Sequence, residues 1–240
     1  MVQNHLLQLL CLVAMEPPVT LAERDLRDRK VDVLRAVRRP SPAEIERTTR
    51  RARYTAGHLG GRDVPAYVAE TGVDPARETE TFAQVTLEIE NWRWADVPFV
   101  LRTGKALENS RRAFVVHFRP VPHLAFGQEE EPAPNALLLG LDPDRISLSV
   151  SVNGRDDPFT LEPLELDASL APQELPAYGH VLLGVLAGDP TLSIRGDEAE
   201  EAWRIVEPIL AAWAEGRPAL SEYPAGSAGP PPPTEQPVGG

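Results

Sequence analysis

The hydrophobic pattern changes period part-way along this chain, and that change narrows the possible folds more than any other feature. Up to about Val37 the apolar residues recur at helical spacing. Further on they alternate: Val85, Leu87 and Ile89 are separated by Thr86, Glu88 and Glu90, the pattern of a strand with one wet face. Strands are also predicted at 97–101, 113–118, 136–141, 146–152 and 159–166, with turn chemistry at Asp142-Pro143-Asp144 and Asn153-Gly154. Parallel neighbours need long crossovers, and these connections are short and lack helices, so the strands must run antiparallel. The expectation is an α+β fold, a large, mostly antiparallel sheet with helices packed on one side. No strand leads into a Gly-x-Gly-x-x-Gly turn, so the sequence carries no dinucleotide fingerprint; the Gly57–Gly61 stretch reads as a loop.

Residues 3–15 read as a buried helix ended by Pro17 and Pro18. A second helix is expected from an N-cap at Thr20, with Glu23 at capping-box spacing and Leu26, Lys30, Leu34 and Val37 along one face, up to the break at Pro40-Ser41-Pro42. Two closing helices are expected near 174–187 and 197–214, the last with Ala202, Trp203, Val206, Ile209, Leu210 and Trp213 on one stripe. Past Tyr223 the composition falls to Gly, Pro and Ser. The expected organisation is therefore one domain over 1–225 and a disordered Pro/Gly-rich tail over 226–240.

Composition excludes some functions. A net charge of −12 argues against nucleic acid as a partner. The single cysteine, Cys11, fits a reducing compartment. The apolar run at 6–14 has no basic flank and no cleavage site and is too short to span a bilayer, so a cytoplasmic protein without membrane attachment is expected. The cations are almost all arginine. Lys30 and Lys105 are the two lysines, which makes each a mildly informative choice.

Few residues stand out chemically. His5, near the start of the first helix, is either a general base working near neutral pH or a structural histidine. Arg102-Thr103-Gly104-Lys105 follows a strand. The glycine lets the backbone turn, and the ammonium of Lys105 either meets a phosphate or sugar oxygen or is simply solvated. Trp92-Arg93-Trp94 fits an aromatic-packed turn better than a stacking platform. The scattered histidines have no metal-ligand spacing, so no metal is expected, and no serine sits in a nucleophile elbow.

Taken in order, these segments resemble the C-terminal half of the glucose-6-phosphate dehydrogenase family. Gln3-Asn4-His5-Leu6-Leu7-Gln8-Leu9-Leu10 resembles the helix that carries the family's catalytic histidine. Thr79 to Phe82, Leu87 to Asn91, Arg93-Trp94, Val97 to Phe99 and Leu101 to Lys105 resemble its central signature. Gly188-Asp189-Pro190, Glu201 to Arg204 and Tyr223 to Ser227 resemble its closing segments. The resemblance implies that His5 removes the proton from the C1 hydroxyl of glucose 6-phosphate, with hydride passing to NADP to give 6-phosphogluconolactone. It implies that Lys105 binds substrate, that Arg102 supports the same loop, and that copies pair through the sheet as a homo-oligomer.

The sequence also departs from the family. Ser110 stands where a basic, substrate-contacting residue is usual, and Arg111, next along, is the candidate replacement. Asp142 stands where some relatives have glutamine, and Gly140 where some have an arginine for a second, structural NADP. Tyr178-Gly179-His180 and Ala228 also differ from the family pattern. The family's NADP-binding half and a substrate-binding aspartate would precede Met1, so no cofactor-binding residue is assigned. The chain alone is expected not to turn over, with His5 in a fraying first turn. The alternative is a non-catalytic sugar-phosphate-binding or dimerisation module that pairs with a complete relative.

Overall fold

In the computed structural model the described residues are 1–109, 111–121, 123, 133–157, 159–171, 175, 177–191 and 193–231. Ser110 and residues 232–240 of the expected tail lie outside them.

The chain opens with a π-helical turn, Val2–Leu6, that runs into α1 (Leu7–Ala14). There follow α2 (Glu23–Ala36), α3 (Pro42–Thr48), β1 (Thr49–Thr55), β2 (Gly57–Leu59), β3 (Arg62–Val64), β4 (Phe82–Glu88) and β5 (Pro98–Gly104). Then come β6 (Arg112–His117), β7 (Ala136–Asp142), β8 (Asp144–Asn153), β9 (Leu161–Ser169), α4 (Ala177–Ala187), α5 (Gly196–Ala214) and β10 (Ser221–Pro224). Met1–Asn109 and the residues from Ala177 onward form one compact unit, and Ser110–Pro176 form a second.

The α+β class holds, with the strands divided between sheets. In the first unit the order is β10-β1-β4-β5, antiparallel except for the β1–β10 pair, which is parallel. Alternation along β4 does what the sequence predicts. Ala83, Val85 and Leu87 are buried against the helices, whereas Gln84, Thr86 and Glu88 face the other side. Leu7, Leu10, Cys11 and Ala14 of α1, Val33 and Leu34 of α2, and Ala202, Ile205, Val206, Ile209, Ala212 and Trp213 of α5 complete this core. A second cluster, Ala52, Tyr54, Phe82, Tyr223 and Ala225, lies around β1, β4 and β10. The second unit is an antiparallel meander, β6-β7-β8-β9.

Several expectations need correction. Thr20 does not cap α2. That helix starts after Ala22, and the Thr20 hydroxyl accepts from Ala22 N–H (3.2 Å) and donates to Asp25 (2.7 Å), a local turn that competes with helix initiation. Ser41 is instead the capping residue, with Glu44 returning a bond to its backbone N–H at 2.8 Å, so the Pro-rich break starts α3. The Gly57–Gly61 stretch is not a loop but most of the β2–β3 hairpin, turned at Gly60 and Gly61 with φ of +57° and +78°. The α5 stripe is shifted. Ile205 is buried while Trp203 and Leu210 are exposed, because a 3.6-residue period selects 202, 205, 206, 209, 212 and 213.

Candidate active site

His5 sits in the π-helical turn, whose wide ring is closed by a bond from Leu6 N–H to Met1 C=O (3.1 Å). Its side chain is exposed. The turn packs against both β5 and α5, and Val2 joins the core cluster that Phe99 and Leu101 of β5 also touch. The strand that supports His5 is therefore the one that ends at Gly104.

Packing around Gly104 is tight. A Cβ there would fall 2.8 Å from Leu107 Cδ1 and 2.9 Å from Phe82 Cδ2. The chain then turns, with Ala106 in the left-handed region at φ +50°. The Lys105 backbone is gripped at both ends: its N–H donates to Thr81 C=O (2.9 Å), and its C=O accepts from the Tyr223 hydroxyl (2.7 Å). Tyr223 is 1 % exposed, and burial pushes its phenol above the usual range against the opposing effect of the bonds to Thr81 and Lys105. The closing segment clamps the next residues, through Gly226 N–H to Ala106 C=O (2.8 Å) and Glu108 N–H to Ser227 C=O (2.9 Å). The result is a fixed backbone presenting an exposed ammonium, which makes no ion pair among the described residues. That arrangement suits a site that needs a positive charge within reach of a fixed turn.

Arg102 supports this region. Its guanidinium lies 5.0 Å above the Phe82 ring and donates to the Ala228 carbonyl, tying the closing segment to β5. Arg111 belongs to the second unit. With Arg112, Gly140, Asp142 and Arg145 it lines a cavity of about 190 Å³. Asp142 is engaged there, 3.1 Å from Arg112. The aromatic turn is structural at Trp94, whose ring meets Phe99 edge-on at 5.2 Å and whose Nε1 donates to Ala14 C=O (2.9 Å); Trp92 is fully exposed. Among the described residues no group of acidic, histidine and cysteine side chains is arranged to hold a metal, and no helix is long and apolar enough to cross a membrane.

Tyr223 and Thr81 carry no catalytic signature, and sequence reasoning assigned them no role. The polar core beneath the opening helix was also missed. Lys30 and Glu198, 6 % and 0 % exposed, pair at 3.2 Å, and Gln8 bonds both. A lysine on the otherwise apolar face of α2 was the available signal.

The family model for the glucose-6-phosphate dehydrogenase C-terminal domain matches residues 1–236. Glucose-6-phosphate 1-dehydrogenase of Treponema pallidum is 42 % identical over 238 residues, covering 96 % of this chain and 46 % of that protein. The Gluconobacter oxydans enzyme is 43 % identical over 236 residues, covering 96 % and 47 %. The crystal structure of the Mycobacterium avium enzyme superposes with a TM-score of 0.77 at 37 % identity, covering 96 % of this chain and 46 % of that one. A glucose-6-phosphate dehydrogenase in complex with its substrate, glucose-6-phosphate, superposes with a TM-score of 0.80 at 29 % identity, covering 95 % and 47 %. The chain thus spans about half the length of the curated relatives it matches. With its elements in the same arrangement and its sequence matched nearly end to end, this chain belongs to the glucose-6-phosphate dehydrogenase C-terminal domain family.

Proposed function

We propose that this chain is the sugar-phosphate-binding half of a glucose-6-phosphate dehydrogenase, which in complete form oxidises glucose 6-phosphate to 6-phosphogluconolactone with NADP. The observation that carries the reading is that one strand, β5, serves both candidate groups. The turn bearing His5 rests on β5, and Lys105 follows its last residue. In this reading the Lys105 ammonium holds a substrate oxygen. The His5 imidazole takes the proton of the C1 hydroxyl as the C1 hydrogen leaves with its electron pair. NADP is the acceptor expected for the complete protein. The described residues contain no strand–glycine-rich turn–helix unit, so they do not fit a dinucleotide site. Arg111 is a further candidate for substrate contact. Pairing of copies through the sheet and a cytoplasmic location complete the proposal; Val115, Leu164 and Leu166 are exposed on the second unit's strands.

Calorimetric titration of the purified chain with glucose 6-phosphate tests it. Binding is expected, and Lys105→Ala is expected to weaken it about 10- to 100-fold, the range of one lost charge-assisted contact. Steady-state assay of the same chain with NADP is expected to show no turnover. A chain that forms dimers by sedimentation yet does not bind the sugar phosphate would favour the non-catalytic module, the reading that the altered Ser110 and Asp142 positions support.

A further inference from the structure

The turn that carries His5 has no side-chain cap, so its orientation must be set from elsewhere. The apolar contacts of Leu7, Leu10, Cys11 and Ala14 hold α1 to the core. Such contacts are non-directional, and the directional bonds of Cys11 Sγ to Lys30 C=O (3.6 Å) and of Trp94 Nε1 to Ala14 C=O (2.9 Å) lie further along the helix from the His5 turn than Gln8 does. Rotation matters here, because a π turn is an uncommon register that meets an ordinary α-helix at Leu7. A slip of one residue would swing the imidazole by roughly 100° about the axis.

Gln8 is placed to prevent that slip. Its Oε1 accepts from Lys30 Nζ at 2.8 Å, and its Nε2 donates to Glu198 Oε2 at 3.2 Å. Both partners are buried, and they also bond each other at 3.2 Å. The amide orientation is chemically forced. Reversed, it would set its NH2 against the ammonium and its oxygen against the carboxylate. Glu198 is held in turn at the start of α5 by Arg195 N–H (3.3 Å). One amide on α1 is thereby locked to α2 and to α5, and α5 also packs against the His5 turn.

We propose that Gln8, clamped between Lys30 and Glu198, is a positioning residue for His5: it fixes the register of the π turn and so the direction of the imidazole. The inference rests on reading His5 as the base. The Lys30–Glu198 pair joins α2 to α5 without Gln8, so removing the amide loosens the turn more than the fold.

The test uses the 240-residue chain labelled with 13C-histidine, the His5 ring signals being assigned by their loss in His5→Gln. Gln8→Met keeps the side-chain length and removes both hydrogen bonds. Gln8→Asn, the second variant, keeps the amide but is too short to reach both partners. In both variants the ligand-free His5 signals are expected to shift or broaden while the other four histidines stay in place. Affinity for glucose 6-phosphate is expected to change less than about twofold, because the Gln8 amide is taken up by Lys30 and Glu198. A merely structural role would lower the melting temperature and leave the His5 ring unmoved. His5 signals in both variants that superimpose on those of the unaltered chain would overturn the proposal. If glucose 6-phosphate fails to perturb His5 in the unaltered chain, the substrate reading fails, while the clamp is still decided by the ligand-free spectra.

Discussion

Replacing Lys30 by methionine should be among the most destabilising single changes this chain can suffer. Lys30 and Glu198 are 6 % and 0 % exposed and 3.2 Å apart, so both charges have given up water for each other. Among the described residues the carboxylate is otherwise satisfied only by the Gln8 amide and the Arg195 N–H, both neutral donors. Removing the ammonium leaves a buried, uncompensated charge, a change that costs about 3–5 kcal/mol. At about 2–4 °C per kcal/mol for a chain of this size, the melting temperature should fall by about 6–20 °C. The double variant Lys30→Met with Glu198→Met removes the desolvated pair and fills the space with apolar atoms. It should lie within about 2 kcal/mol of the unaltered protein, since hydrophobic replacement of a buried pair is often close to neutral. Urea unfolding of the two singles and the double, combined as a cycle, gives the coupling directly. A loss below about 1 kcal/mol in Lys30→Met, or a double variant as unstable as the single, would refute the argument.

Gly104→Ala should cost about 1–3 kcal/mol, because its Cβ would meet Leu107 and Phe82 below 3 Å. Glucose 6-phosphate binding should weaken with it as Lys105 is displaced, and titration beside thermal melting reads both. Glu44 supplies a pH dependence. Hydrogen bonds from the Ser41 backbone and hydroxyl, and then from Arg38, hold its carboxyl down at about 2. A carboxylate depressed in the folded state contributes its full stability above the ordinary carboxyl range. That contribution is lost as pH falls from about 4.5 towards 2. Acid unfolding profiles should therefore show a smaller decline across that window in Glu44→Gln than in the unaltered chain; superimposable profiles would refute the assignment.

The parts of the fold legible in the sequence are those where one period dominates. Val85, Leu87 and Ile89 announced β4, and the register confirms a strand with one face on the core. β1 was invisible because arginines occupy positions 50, 51 and 53. Arg51 is nonetheless 5 % exposed, its guanidinium bonded to Pro218 C=O at 3.0 Å, so a residue scored as wet is inside. The Thr20 cap failed for a related reason: a threonine before an acidic residue fits either a helix start or a local turn, and the backbone decided. His5 and Lys105 were singled out through their neighbours in sequence. The grip on the Lys105 backbone was not, because Thr81 and Tyr223 come from distant stretches that only the fold brings together.

The two lysines of an arginine-rich chain show why that residue choice carried information. At Lys30 the ammonium serves two acceptors inside a packed core, Gln8 at 2.8 Å and Glu198 at 3.2 Å. A planar guanidinium with five donors would need more acceptors and more volume than this core supplies. At Lys105 the same compact charge stands exposed on a backbone immobilised by Thr81, Tyr223 and the closing segment. One lysine is neutralised within the protein and the other is left without a carboxylate among the described residues. In a chain of net charge −12, abundant acids could have paired it. An unpaired ammonium on a fixed backbone stays available to an incoming anion. In the proposed reading Lys30, through Gln8, would steady the turn of the candidate base, and Lys105 would supply the charge that the substrate meets, so both lysines would serve the site whose two candidate groups β5 supports.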